Sequence, residues 1–341
     1  MSVMLSAATS PLPKKVGATN DQIHKIGRFT DNGQFAWSSS TIRTVFSGSS
    51  LQVELEGKKA FFDVVLDGKW SHMFEVTPEQ SIYQVLEGKH RQHCRVEIIK
   101  RTEAHYSGSI TFAGFRLSQD GSLSQPPRRE RKILAIGDSI TCGYGAETAV
   151  NKSAFNLKEE NSRKAYPHRL AEALDADYHA VSWSGRGMFR NRKDDGRPTL
   201  PILFNWTLPD QKTNWVFDQW VPDLILINLG TNDRSLAGGR APIEKRDFVG
   251  AYRDFLKRLR TLYPNAKLIV LNGPMTLLSE QFAFMGKWIE ELADEMGESV
   301  VFMSLPPKRG DGWWGAYHPS ERLHADLAER LQPKIQAEMG W

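Results

Sequence analysis

Cysteine is scarce in this chain of 341 residues. The two cysteines, Cys94 and Cys142, are distant in sequence, and neither belongs to a Cys-x-x-Cys pair. Because disulfide frameworks and structural zinc sites need more cysteines at shorter spacings, neither is predicted. A metal bound by His90, His93 and Cys94 is not expected either, because alternation along a strand places the two histidines on opposite faces.

Long apolar runs and a strong excess of one charge are also missing. No run reaches the roughly 20 apolar residues of a membrane-spanning helix. The net charge is only +4, and basic residues are dispersed apart from the clusters at 90–95 and 128–132. Neither cluster accompanies a nucleic-acid-binding motif. We therefore expect neither a membrane nor a nucleic acid as partner, and no pattern sets an oligomeric state.

The first residues of the sequence do not resemble a signal peptide. They lack a basic start, and their apolar stretch is too short. For the sequence as given this predicts a cytoplasmic protein, whereas removal of a leader would make it secreted or periplasmic.

Short β-type runs dominate the first third of the chain. After a polar, flexible arm predicted at 1–20, runs such as 41–46 and 51–55 are separated by turn signals as far as residue 118. Short strands at this spacing predict an antiparallel β-sandwich of the jelly-roll type over 21–118. A stretch rich in proline and arginine at 119–131 is predicted to be a linker.

Alternating strands and helices follow over residues 132–341, which is typical of a parallel sheet covered by helices. The last helix is predicted over 319–336, with Pro319 at its first position. An apolar run at 133–136 reads as a strand, and it ends at Gly-Asp-Ser. Ligands of parallel sheets bind at the carboxyl ends of the strands, so Ser139 stands where a nucleophile is expected.

The motif Gly-Asp-Ser-Ile-Thr at 137–141 resembles the first block of the SGNH hydrolases. It differs from the Gly-x-Ser-x-Gly elbow of the α/β-hydrolases. The other SGNH blocks follow in order, as Ser182-Trp183-Ser184-Gly185, Gly230-Thr231-Asn232-Asp233 and His318-Pro319. This resemblance covers most of residues 132–336, and it implies a flavodoxin-like α/β domain that works by serine chemistry.

The resemblance also implies a role for each block. Ser139 would be the nucleophile, and His318 would take its proton as general base. The negative charge of the tetrahedral intermediate would be held by three neutral donors. These are the N–H of Ser139, the N–H of Gly185 and the side-chain amide of Asn232.

Neighbouring residues in the same blocks leave one choice open. Gly187 is an alternative to Gly185 as the oxyanion donor. Asp138 and Asp233 are expected to act structurally, by accepting hydrogen bonds from loop N–H groups.

With a β-sandwich in front, the blocks look like carbohydrate esterase family 2, a resemblance that spans about residues 20–336. Members join a jelly-roll domain to an SGNH domain and remove O-acetyl groups from plant polysaccharides and sugars, often at a primary 6-position. This implies an acetyl esterase of the acetylxylan or 6-O-acetyl sugar type, acting on acetylated carbohydrate without a metal or organic cofactor. Trp313, Trp314 and Tyr317 are candidates for stacking on a sugar ring.

Two alternatives stay open at this point. SGNH domains also hydrolyse lipids and thioesters, for which a long apolar groove would be the sign. The chain could instead be a carbohydrate-binding protein whose esterase site has decayed. Intact Ser139, Asn232 and His318 argue against the second alternative.

One departure from the resembled pattern concerns the partner of His318. The superfamily has an aspartate three residues before the histidine, and family 2 members commonly have one two residues before. Here those positions are Gly315 and Ala316. We therefore expect a Ser-His dyad whose histidine is oriented by a main-chain carbonyl within 313–315. The alternative is Asp311 as a third triad member.

Overall fold

The structure is a computed structural model that describes residues 13–149, 152, 154–210, 213–278, 283–306, 312–313 and 317–341. Its first unit is an antiparallel β-sandwich, as predicted. The strands are β1 (Lys14–Gly17), β2 (His24–Ile26), β3 (Gln34–Phe35), β4 (Thr41–Gly57), β5 (Ala60–Leu66), β6 (Lys69–Val76), β7 (Ile82–Lys100), β8 (Ile110–Leu117) and β9 (Ser122–Ser124). A short helix, α1 (Ala104–Ser107), lies between β7 and β8.

Two long bent strands, β4 and β7, belong to both layers of the sandwich. The first half of β4 pairs with the end of β7 and with β2 and β9, whereas its second half pairs with the start of β7 and with β8. The prediction of separate strands at 41–46 and 51–55 was therefore wrong. The chain bends at Gly48 (φ +143°), where a Cβ would lie 2.7 Å from the Phe46 ring. Glycine thus bends the strand without ending it.

Two other predicted segments also join the sandwich. Residues 14–17 of the predicted arm form β1 and pair with β8, while residues 1–12 lie outside the described part of the chain. Residues 122–124 of the predicted linker form β9 and pair with β4. Backbone pairing decides both cases, because neither segment has the apolar alternation that marks a strand in sequence.

The second unit is built on a parallel sheet. Its strands and those of a small hairpin are β10 (Arg131–Gly137), β11 (Ala176–Ser182), β12 (Trp206–Leu208), β13 (Thr213–Asn214), β14 (Leu224–Asn228), β15 (Lys267–Asn272) and β16 (Val300–Ser304). The sheet order is β11-β10-β14-β15-β16, and every neighbouring pair is parallel. This is the flavodoxin-like order, in which the strand order reverses beside β10.

Helices cover both faces of this sheet. They are α2 (Ser139–Cys142), α3 (Tyr166–Ala173), α4 (Leu200–Leu203), α5 (Lys245–Leu262), α6 (Ala283–Met296) and α7 (Glu321–Met339). Short 3-10 turns occupy Leu157–Glu159, Ser162–Lys164, Phe217–Gln219 and Met275–Leu278. In β10, Ile133 and Ala135 face α3 and α7, whereas Leu134 and Ile136 face α5 and α6. This burial on both faces explains the continuous apolar run at 133–136.

The start of α7 differs from the prediction. Ser320 caps the helix by accepting a hydrogen bond from the Leu323 N–H at 3.4 Å. Pro319 therefore precedes the cap and is not the first helical residue. No helix within the described ranges is both long and apolar enough to cross a bilayer.

The two units share a large buried interface. Trp37 from the sandwich is buried in the core of the second unit, and its Nε1–H donates to the Thr207 carbonyl at 2.9 Å. The fully buried Arg28 donates to the carbonyls of Phe204 and Trp206 at 2.6 and 2.7 Å. The hairpin β12–β13 is thus part of the surface on which the sandwich packs.

Arg101, just beyond the end of β7, contacts both units. Its Nη1 lies 3.1 Å from Oδ1 of the fully buried Asp63, and its Nη2 pairs with Glu147. The same guanidinium donates to the carbonyls of Lys158 and Glu160 at 3.0 and 3.3 Å. Removal of the arginine would leave the buried Asp63 carboxylate without its cation.

We predict that Arg101→Met lowers the free energy of unfolding by about 3–5 kcal/mol, because it leaves a buried carboxylate without its cation. Methionine keeps much of the apolar volume, so the change isolates the charge. Urea unfolding of the whole chain measures it. Arg246→Met is the matched control, since the Arg246 side chain is 88% exposed in its ion pair with Asp247. Equal unfolding midpoints for the two variants would contradict this account of the interface.

Candidate active site

Three neighbouring strands bring three of the sequence blocks together. In the sheet, β10 lies between β11 and β14, and Gly137 is in register with both Ser182 and Asn228. The loops that leave these strands carry Ser139, Gly185 and Asn232, which all line one cleft. Adjacent carboxyl ends of parallel strands thus explain why residues so distant in sequence lie close together.

His318 completes the group from a fourth segment, the loop before α7. Its Nε2 lies 2.8 Å from the Ser139 Oγ, within hydrogen-bond distance. The Tyr144 ring lies 4.7 Å from the imidazole and stacks at 3.9 Å on Phe155. The N–H of Glu321 donates to the Ala146 carbonyl at 2.7 Å, which ties the start of α7 to the loop that follows Ser139. The histidine is therefore anchored relative to the serine.

Ser139 is 6% exposed and begins helix α2. Asp138 caps this helix, because its Oδ1 accepts the Ile140 N–H at 3.0 Å. Asp233 accepts the N–H groups of residues 188, 189 and 190 at 2.9, 2.7 and 2.9 Å. Both aspartates thus accept loop N–H groups as predicted. Burial raises the pKa of Asp138 to about 7 and also raises that of Asp233.

The Asn232 amide already has an acceptor for each of its two hydrogens. Its Nδ2 lies 3.1 Å from Asp138 Oδ2 and 2.9 Å from the Arg186 carbonyl. These contacts fix the orientation of the amide at the edge of the cleft. A negative charge that forms in the cleft would have to share or displace one of these acceptors.

The two candidate glycines differ in position. Gly185 has a positive φ of +79° and lines the cleft, and no atom lies within 4 Å of a Cβ built on it. A Cβ on Gly187 would lie 2.0 Å from the Arg190 carbonyl and 2.5 Å from Asp233. Gly187 is therefore needed for close packing of the loop, and Gly185 is the glycine that reaches the cleft.

Glu103, from the segment after β7, is buried beneath the cleft and holds the loop that carries Gly185. Its Oε2 accepts the Ser184 N–H at 2.6 Å, and its own N–H donates to Glu160 Oε1 at 2.8 Å. Burial raises the pKa of Glu103 to about 6 and that of Glu160 well above the usual range. Sequence analysis missed Glu103, because no block or spacing links it to the second unit.

Among the described residues, one group has the close spacing that a metal site requires. It consists of Glu103, Cys142 and Glu160, whose ligand atoms lie within 4.8 Å of one another. Their chemistry favours a protonated network over a metal centre. Burial raises the pKa of the Cys142 thiol well above its usual value, and the thiol faces Glu103 Oε2 at 3.7 Å. The buried Lys100 ammonium already supplies a positive charge to the two carboxylates.

The cleft above these residues has a volume of about 1020 Å³. Its aromatic lining comprises His105, Tyr106, Tyr144 and Tyr317 besides His318. Tyr317 is 70% exposed, so its ring faces the open side of the site.

The predicted stacking residues and the predicted third triad member are not all found there. Trp313 packs against the core beside α3 and α7 and does not line the cleft. Trp314 and Asp311 lie outside the described residues. Their proposed roles, and the choice between a carbonyl and Asp311 as the partner of His318, stay predictions.

Two family models match this chain. Residues 135–326 match the GDSL-like lipase/acylhydrolase family, and residues 25–127 match the carbohydrate esterase 2 N-terminal domain. Together they cover the parallel-sheet unit and the sandwich.

Individual proteins are similar over nearly the whole chain. Cellulase/esterase CelE of Acetivibrio thermocellus is 32% identical over 90% of this chain, although the chain spans only 38% of that protein's length. An acetylxylan esterase/glucomannan deacetylase of Cellvibrio japonicus is 28% identical, over 96% of this chain and 91% of its own. The structure of a family two carbohydrate esterase from Clostridium thermocellum in complex with cellohexaose aligns with a TM-score of 0.87 and 33% identity, covering 94% of this chain and 99% of that one. The chain is therefore a carboxylic ester hydrolase of the GDSL-like lipase/acylhydrolase family and belongs to carbohydrate esterase family 2.

Proposed function

We propose that this cleft hydrolyses O-acetyl esters of poly- or oligosaccharides, of the acetylxylan or 6-O-acetyl sugar type. The single observation that carries the proposal is the 2.8 Å contact between Ser139 Oγ and His318 Nε2 at the carboxyl ends of the strands. The relatives named as acetylxylan esterase and glucomannan deacetylase support the substrate class.

In the first half of the reaction, the Ser139 Oγ–H bond breaks and its proton passes to His318 Nε2. The oxygen attacks the acetyl carbonyl and forms a tetrahedral intermediate. When the ester bond breaks, the imidazolium returns the proton to the sugar oxygen, which leaves as a free hydroxyl. In the second half, His318 takes a proton from water, and the water oxygen attacks the carbonyl of acetyl-Ser139. The bond to Ser139 Oγ then breaks, the imidazolium returns the proton to Oγ, and acetate leaves.

The intermediate carries its charge on the former carbonyl oxygen. We assign its stabilisation to the N–H groups of Ser139 and Gly185 and to the Asn232 amide. The oxyanion would share one of the two Asn232 amide hydrogens that now donate to Asp138 and to the Arg186 carbonyl.

The lining supports a short acyl group better than a long one. Among the described lining residues only Leu236 and Met275 are aliphatic, and the others are polar, charged, aromatic or glycine. A fatty acyl chain buries apolar surface along its whole length, so it needs a continuous apolar groove. This lining argues against the lipid alternative.

Ser139→Ala and His318→Ala are each expected to lower kcat on chromogenic acetate and on acetylated xylo-oligosaccharide by at least about 10⁴-fold. Nucleophile and base act as one unit, so the double variant should be little worse than either single one. His90→Ala, an exposed histidine of the sandwich, is the control and should keep wild-type activity. Substantial turnover by folded Ser139→Ala would remove Ser139 from its assigned role.

We also assign a positioning role to Glu103. Because its carboxylate holds the Ser184 N–H, it sets the main chain from which the Gly185 donor projects. A residue that aligns a transition-state donor affects kcat and leaves KM unchanged. Glutamine at this position would keep an acceptor oxygen, and its NH₂ could donate to the neighbouring Glu160.

Glu103→Gln should therefore keep kcat within about tenfold, while Glu103→Met should lose about 100-fold with KM unchanged. The stability contributed by protonated Glu103 is full below about pH 4.5 and is lost as the pH rises through its folded pKa of about 6. Relative to wild type, Glu103→Gln should thus gain about 2 kcal/mol in unfolding free energy between about pH 4 and pH 8. Equal kcat losses in both variants, with KM raised, would argue for general disruption instead.

A further inference from the structure

One wall of the cleft is rich in cations. Among its described lining residues are the cationic side chains Arg186, Arg192, Lys193 and Arg234, and the only carboxylate is Asp195. That carboxylate already forms an ion pair, because both terminal nitrogens of Arg186 donate to it. The Nη1–Oδ1 distance is 2.9 Å. The pair holds Asp195 ionised, with its pKa lowered to about 2. Of the remaining cations, Arg192 and Lys193 have no carboxylate partner among the described lining residues.

Arg192 and Lys193 are tied to the catalytic loop by main-chain contacts. The Arg192 N–H donates to the Gly185 carbonyl at 2.9 Å. The N–H of the same glycine is the proposed oxyanion donor. Asn191 accepts the Gly187 N–H at 3.3 Å and donates to the Arg197 carbonyl at 2.8 Å, which closes the loop on itself. The backbone that bears the two cations is therefore fixed beside the reaction centre.

The side chains of both residues extend into solvent. Arg192 and Lys193 are exposed, and no carboxylate of the described residues pairs with either of them. On an adjacent wall, Arg197 donates to His105 Nδ1 at 2.8 Å and lies 5.6 Å from the centre of the Trp183 ring. Burial and the neighbouring arginines lower the pKa of His105, which favours the neutral imidazole.

We propose that this cationic wall binds a carboxylate of the glycan, so that the preferred substrate is an acetylated polysaccharide bearing uronic acid residues near the acetyl ester. The inference rests on the proposed function and names its substrate class. A guanidinium matches a carboxylate geometrically through two parallel N–H donors. Like charges held in one cleft also focus the field and raise the local concentration of an anionic substrate. A neutral glycan would gain no charge–charge attraction from this arrangement.

The test compares two forms of one substrate. Acetylated xylo-oligosaccharides with a glucuronic acid branch are assayed beside the same material whose uronate is converted to a carboxamide, which removes the charge, keeps nearly the same shape and adds no second ester. At low ionic strength the charged form should have a kcat/KM about fivefold higher, mainly through KM. In about 0.5 M NaCl the ratio should approach one, because salt screens exposed charges.

The double variant Arg192→Glu/Lys193→Glu should bring the ratio below one. Lys69→Glu/Lys89→Glu carries the same charge change on exposed positions of the sandwich that do not line the cleft, and it should keep the wild-type ratio. Equal, salt-independent rates on both forms by wild type would overturn this inference and leave the proposed function standing. Acetate release from neither form would contradict both.

Discussion

The hydrogen bond from the Ser184 N–H to the Glu103 carboxylate joins the sandwich to the reaction centre. Lys100 at the end of β7 and Arg101 and Glu103 just beyond it are all buried. Each finds its partners across the interface or within this stretch of chain. Buried polar groups are costly without such partners, so the second unit must supply them. The main chain of the candidate site consequently depends on the sandwich being docked.

Within the second unit, the parallel sheet positions the candidate catalytic residues. Three adjacent strand ends carry the candidate nucleophile and two candidate oxyanion donors, and the start of α7 delivers the histidine. Asp138 and Asp233 hold the loops between them by accepting main-chain N–H groups, which compensates in part for burying two carboxylates. Loops fixed at so many points lose little further freedom when a substrate binds.

Sequence patterns predicted both folds and the four blocks because each is a local signal: an apolar period, a turn residue or a short motif. They failed at β4, where the Gly48 bend was taken for a turn between two strands. They also missed Glu103 and the carbonyl that shares the Asn232 amide. Those roles arise from contacts between segments distant in sequence, and no period or spacing encodes them. Trp313, one of the stacking candidates, packs against the core beside α3 and α7.

We have proposed that a serine-histidine pair in this cleft removes acetyl groups from sugars. The most direct test of this proposal offers the wild-type enzyme a mixture of acetylated glucomannan oligosaccharides and an octanoate ester, followed by ¹H NMR. We predict that the signals of acetyl groups on the sugar oxygens disappear as free acetate appears, while the octanoate ester stays largely intact. Octanoate release with unchanged sugar acetyl signals would contradict the account and favour a lipid hydrolase.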